Sequence, residues 1–154
     1  MYKRMLVPLD GSRFAEGILP FVVQIAGPLA LEVVLVRAVE PTVPQGLEGT
    51  GYSMVDVVAA QLKDAREYLA AVAVTLRGRG VRVTTEARHG EPVTELVAAA
   101  RDTGADLIAM TTHGRSGFGR LLFGSVAEGV LRQAEIPVLM MRLTERHASA
   151  AEAA

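Results

Sequence analysis

Residues 105–128 read A-D-L-I-A-M-T-T-H-G-R-S-G-F-G-R-L-L-F-G-S-V-A-E. A near-continuous apolar run, Ala105 to Met110, stops at Thr111-Thr112-His113. Gly114, Gly117, Gly119 and Gly124 then share a loop with Arg115 and Arg120, and Ser125 opens a helical pattern reaching Gln133. An apolar run without helical period, bounded by turn residues, is a strand covered on both faces, as in a parallel sheet. Glycines allow positive φ and let a bound group approach the backbone, so such a loop can aim successive N–H groups at an anion.

The same unit recurs on either side. Arg4 to Leu9 is a second apolar run, after which Gly11-Ser12 begin a helix carrying Phe14, Ile18, Phe21, Val22 and Ile25, stopped by Gly27-Pro28. Leu31 to Val39 is a valine-rich strand, and Glu40 to Tyr52 a loop of prolines and glycines. From Ser53, apolar residues step by three or four as far as Leu76, and Gly78 and Gly80 close that helix. Val81, Val83, Thr85 and Ala87 alternate with Arg82, Thr84, Glu86 and Arg88, the pattern of a strand at a sheet edge. Glu91-Pro92 open a helix to Thr103, and Pro137 to Met141 is a final strand. Strict alternation of strand and helix predicts an α/β fold: one open parallel sheet with helices on both faces. In such sheets ligands bind beyond the carboxyl ends of the strands, where the winding reverses. The two most apolar strands end at Pro8-Leu9-Asp10 and Thr111-Thr112-His113, and the glycine loop follows directly.

Composition bounds the function. With 154 residues, half of them hydrophobic, the chain predicts one domain over residues 1–143, and residues 144–154, without apolar period, predict a disordered tail. Sixteen basic residues nearly balance seventeen acidic ones, so no overall field recruits nucleic acid or an anionic membrane. The absence of cysteine removes thiolate metal sites and cysteine nucleophiles and is compatible with the cytoplasm, the expected location. The apolar stretch 18–36 is interrupted by Gln24, Gly27, Pro28 and Glu32, unlike a membrane span, and the N-terminal apolar run is too short for a signal peptide.

Several chemistries fall away. The only lysines are Lys3 and Lys63, so there is no phosphate-binding G-K-S/T loop. Gly117-Phe118-Gly119 follows the wrong strand for a dinucleotide fingerprint, and Gly114-Arg115-Ser116-Gly117 misses a nucleophile elbow. His89, His113 and His147 lie too far apart in sequence to make a metal-ligand motif. Ser125 and Glu128 match a capping box, which accounts for part of the loop but not for four glycines and two arginines. Asp10 either ends its strand and caps the next helix or contacts a ligand. Arg115 and Arg120 carry donors suited to phosphate oxygens. No carboxylate stands ready as a general base, since Glu128 is taken up by the cap, so no catalytic residue is assigned.

The stretch from Met110 to Glu128, with M-L-V-P-L-D-G-S at residues 5–12, A-D-L-I-A-M at 105–110 and I-P-V-L-M-M-R at 136–142, resembles the universal stress protein family over residues 2–143. Its ATP-binding branch carries glycine, two residues, glycine, nine residues, then glycine with serine or threonine. Gly114 and Gly124-Ser125 match, and Thr111 replaces the first glycine, adding a side chain beside the ligand. The resemblance implies a five-stranded parallel sheet of order 3-2-1-4-5, ATP carrying Mg or Mn through its phosphates, and a homodimer. Gly114, Gly117, Gly124, Ser125 and Val126 would surround the phosphates with Arg115 and Arg120. Asp10 and Ala38 would lie on the adenine and ribose side, and Pro8, Met110 and Thr111 are also expected among the ATP-binding residues. Val138, Leu139, Met140 and Met141 would pair with a second copy. The function expected is a nucleotide-dependent stress sensor or regulator, at most a slow ATPase; the alternatives are a nucleotide-free dimeric scaffold and an ATP-using phosphoryl or adenylyl transferase.

Overall fold

Arg4–Pro8 (β1), Glu32–Val39 (β2), Arg82–His89 (β3), Leu107–Thr112 (β4) and Val138–Arg142 (β5) form one all-parallel sheet in the order β3-β2-β1-β4-β5. The computed structural model describes residues 1–40, 53–112 and 124–142. Most of the loop at 40–52, the glycine loop from His113 through Gly119 and Arg120, and the tail lie outside them. Helices Arg13–Glu16 (α1), Leu19–Ala26 (α2) and Met54–Gly78 (α3) pack on one face, and Pro92–Thr103 (α4) and Ser125–Gln133 (α5) on the other. Alternation divides each inner strand between two cores. Met5, Val7, Val33 and Leu35 meet Leu69, Ala73 and Leu76 of α3, while Leu6, Val34, Val36 and Ile108 meet Leu96 of α4 and Val130 of α5.

Burial of β1 and β4 on both faces is the reason they occupy the centre: Met5, Leu6 and Val7 are fully buried, and all six residues of β4 are buried. β3, with Arg82, Thr84 and Thr85 exposed, is an edge as its alternation predicts, and β5 is the other. At the opening of the sheet, Asp106 accepts the amides of Lys3 (2.8 Å) and Arg4 (3.0 Å), while the Arg4 guanidinium donates to Glu32 and to the carbonyl of Thr103. These bonds tie β1, β2 and the end of α4 together.

Three local expectations are corrected. The helix expected from Ser12 onward is two helices, because Pro20 has no N–H and its ring crowds the preceding turn, so the chain breaks at Gly17-Ile18 although the apolar spacing runs through. The strand read as Ala105 to Met110 is β4, two residues later, since Asp106 is spent on the amides of β1 and the β-branched Thr111 and Thr112 extend the ladder. The Ser125–Glu128 capping box does not form. Gly124 occupies the N-cap with φ −59° and ψ 151°, and Glu128 pairs with Arg132 at 2.6 Å instead. A capping box does open α3, where Ser53 and Asp56 exchange bonds of 3.2 and 3.1 Å.

Candidate functional site

A proline opens the sheet where its winding reverses. The amide of Leu9 donates to Val36 of β2 at 2.9 Å. Successive residues of a strand turn their amides to opposite sides, so the nitrogen of Pro8 faces β4 and has no proton to give. The ladder between β1 and β4 accordingly covers Met5–Leu107 and Leu6–Ile108 alone, whereas β1 stays paired with β2 through Pro8–Val36 and β4 with β5 through Thr112–Arg142. The ladder between the two central strands thus ends before their carboxyl ends, at the reversal point where open parallel sheets have their crevice.

The β1 wall ends in a tight turn. Asp10 is exposed, and its Oδ1 accepts the amide of Ser12 at 2.8 Å; Ser12 Oγ in turn accepts the amide of Ala15 at 3.0 Å and caps α1. The helix-supporting role of Asp10 is therefore realised, and its Oδ2 has no hydrogen-bond partner among the described residues. Gly11 adopts φ +88°, a conformation that favours glycine. Ala38, half-buried, lies near the end of β2 beside Arg88 of β3.

On the other wall, Met110 is buried in the same cluster that Val126 packs against, so these two expected site residues come together. Thr111 and Thr112 are buried at the strand end, 7% and 5% exposed. Alternation puts the Thr111 side chain on the sheet face of Leu107 and Ala109, opposite to that of Met110. Beyond the glycine loop, α5 begins without any side-chain cap. The amide of Glu128 donates to Gly124 at 2.9 Å, but those of Ser125, Val126 and Ala127 have no partner among the described residues. Helix α4 shows the contrast. There Glu91 accepts the amides of Val93 (3.0 Å) and Thr94 (2.7 Å) and the Thr94 hydroxyl, and these bonds hold its carboxyl below the usual range.

An open helix start, with the positive end of its dipole and an exposed Ser125 hydroxyl, fits phosphate oxygens. Because Gly124 has an ordinary φ, its value there is the absence of a side chain rather than conformational freedom. Of the expected site residues, Gly114, Arg115, Gly117 and Arg120 lie outside the described residues. Among the described residues, no group of three or more His, Asp or Glu could hold a metal ion. A separate cleft of about 60 Å³, lined by Val97, Ala100, Ala105, Ile108, Ala134 and Ile136 with the paired Arg101 and Glu135 beside them, lies at the opposite end of β4 and is too small for a nucleotide. No helix among the described residues is long and apolar enough to cross a membrane.

Sequence reasoning overlooked one residue beside the crevice. Arg37 interrupts the apolar run of β2, and its guanidinium carbon lies 5.1 Å from the centre of the Tyr68 ring. The Tyr68 hydroxyl donates to Glu16 at 2.7 Å; burial first, then this carboxylate, pushes its pKa up. A lone charge within Val33–Val39 was the available signal.

The model of the universal stress protein family matches residues 1–142. The universal stress protein MJ0531 of Methanocaldococcus jannaschii is 34% identical over 143 residues, covering 92% of this chain and 83% of that protein. MJ0577, a universal stress protein of the same organism, is 30% identical over 156 residues, covering 92% of this chain and 96% of its own. Its solved structure superposes with a TM-score of 0.76 at 28% identity, covering 94% of this chain and 99% of that one. A universal stress protein solved in complex with cAMP has a TM-score of 0.59 at 26% identity, covering 93% and 98% of the two chains. With its fold, strand order and nearly full-length match, the chain belongs to the universal stress protein family.

Proposed function

We propose that this chain binds ATP in the crevice between β1 and β4 and acts as a nucleotide-dependent sensor or regulator in the stress response. The observation that carries the proposal is the uncapped start of α5 beside that crevice: three amides without a partner among the described residues, a glycine N-cap and an exposed serine hydroxyl. A relative in complex with cAMP supports an adenine nucleotide as the ligand class. Gly124, Ser125 and Val126 receive the phosphates, joined by Gly114, Arg115, Gly117 and Arg120 of the glycine loop. Pro8, Asp10 and Ala38 border the base and sugar, and Met110 and Thr111 form the floor. Magnesium or manganese rides on the phosphates, and occupancy orders the loop and changes the surface offered to a partner. No catalytic residue is proposed; hydrolysis, if it occurs, is slow and serves as a timer.

Calorimetric titration of nucleotide-stripped protein with ATP and magnesium, then with ADP and cAMP, tests the proposal. Micromolar binding that prefers ATP is expected. No heat at millimolar ligand sinks it and leaves the dimeric scaffold. Gly124→Val should abolish binding without unfolding the protein, because valine accepts φ −59° but fills the space where backbone meets phosphate.

The proposed unit is a cytoplasmic homodimer of the domain at residues 1–143, with 144–154 as a tail. One edge of the sheet is guarded and the other is not. β3 carries Arg82, Glu86 and Arg88, whereas β5 offers Val138, Leu139, Met140 and Met141, all half-buried, before its first charge at Arg142. Pairing of β5 with its copy covers that apolar edge. A stable monomer in sedimentation at micromolar concentration would refute it.

A further inference from the structure

The turn that follows β1 rests on Arg37. Alternation puts this side chain on the α3 face of β2, with Val33 and Leu35. A Cβ built on Gly11 would lie 3.2 Å from Cζ, 3.2 Å from Nη1 and 3.2 Å from Nη2 of Arg37. Equal distances to three coplanar atoms put that Cβ over the flat of the guanidinium, so the turn lies close against the arginine. Tyr68 supports the guanidinium through its ring and is itself anchored to Glu16 of α1. No carboxylate among the described residues forms an ion pair with Arg37.

We propose that Arg37 is a positioning residue for the site: held over the Tyr68 ring, it supports the Gly11 turn and so holds Asp10 against the base-and-sugar end of a bound nucleotide. This inference rests on the nucleotide assignment above. A planar guanidinium suits the task, since it lies flat on a ring and a backbone as an ammonium cannot. The phosphate end, built on α5 across the crevice, is independent of it.

That independence supplies the test. Wild type, Arg37→Met and Arg37→Lys are titrated with ATP and with inorganic tripolyphosphate, each with magnesium; tripolyphosphate offers phosphates without adenosine. Arg37→Met should weaken ATP about tenfold while changing tripolyphosphate affinity less than about twofold, and Arg37→Lys should recover only part of the loss. Tyr68→Leu, which removes the ring and keeps the arginine, should reproduce the selective loss. Unchanged ATP affinity in both Arg37→Met and Tyr68→Leu overturns the inference. So does an equal weakening of both ligands, which would make Arg37 a phosphate contact or a general prop. A wild type that binds tripolyphosphate but shows no preference for ATP refutes the positioning role alone, and one that binds neither refutes the nucleotide assignment with it.

Discussion

Gly129, in the middle of α5, is ordinarily a position where alanine would stabilise a helix by about 1 kcal/mol. Here the opposite is expected. A Cβ at Gly129 would stand 2.6 Å from Cγ2 and 3.1 Å from Cγ1 of Val93 in the first turn of α4. Val93 is 8% exposed, and a valine in a helix is held to essentially one rotamer, so neither methyl can swing aside. Overpacking of this kind costs about 1–3 kcal/mol, which exceeds the gain in propensity and leaves Gly129→Ala about 1 kcal/mol less stable than wild type. Val93→Ala removes both obstructing methyls at a cost of about 2 kcal/mol in lost burial. In that background the added Cβ fills the vacated space, and Gly129→Ala should stabilise by about 1 kcal/mol, giving a coupling energy of about 2 kcal/mol. Urea unfolding of the four proteins at one concentration measures each corner of the cycle. A coupling below about 0.5 kcal/mol, with Gly129→Ala stabilising in both backgrounds, would refute the close approach of α4 and α5 that seats the helix start at the crevice.

Other perturbations give separate outcomes. Ala30, at φ +52°, sits in the left-handed region while Arg82 donates to its carbonyl at 2.5 Å and Leu31 to Ala26 at 2.9 Å, so Ala30→Gly should relieve strain and stabilise by about 0.5–1 kcal/mol. A lower melting temperature in that variant would contradict the strain. Glu91 has its carboxyl held low by the Thr94 hydroxyl and the amides of Thr94 and Val93, so its contribution is full above the ordinary value of 4.5 and is lost as pH falls through the folded value. The stability gap between wild type and Glu91→Gln should be widest near neutral pH and close in acid; a gap constant from neutral to strongly acid solution would show the cap to be inert.

Legibility in the sequence followed how local each cause is. The all-apolar runs at Met5–Val7 and Leu107–Met110 announced central strands, since burial on both faces leaves no polar alternation, and the Arg-Thr-Glu alternation of Arg82–Arg88 announced an edge. The crevice followed from those two facts and the rule for parallel sheets. What local pattern could not show was competition between neighbours. Ser125-Val126-Ala127-Glu128 matches a capping box letter by letter, yet the backbone turns at Gly124 and Glu128 finds Arg132. Pro20 breaks a helix whose apolar spacing continues unbroken, and the apolar run ends at Met110 while β5 supplies a ladder that carries the strand on through the two threonines. The meeting of Arg37, Gly11 and Tyr68 joins three distant segments and has no periodicity of its own. Val93 against Gly129 is of the same kind: each is unremarkable in its own helix, and only packing makes the glycine necessary.

Amide resonances test the central claim most directly. In a titration of nitrogen-15-labelled protein with ATP and magnesium, the backbone amides of Ser125, Val126 and Ala127 should show the largest chemical-shift changes, with a second group at Asp10, Gly11 and Ser12 marking the nucleoside end. Saturating shifts at both ends of the crevice, absent in Gly124→Val, are the predicted result. Amides at the start of α5 that do not move while the protein binds ATP elsewhere, or a protein whose spectrum ATP leaves unchanged at millimolar concentration, would contradict the account.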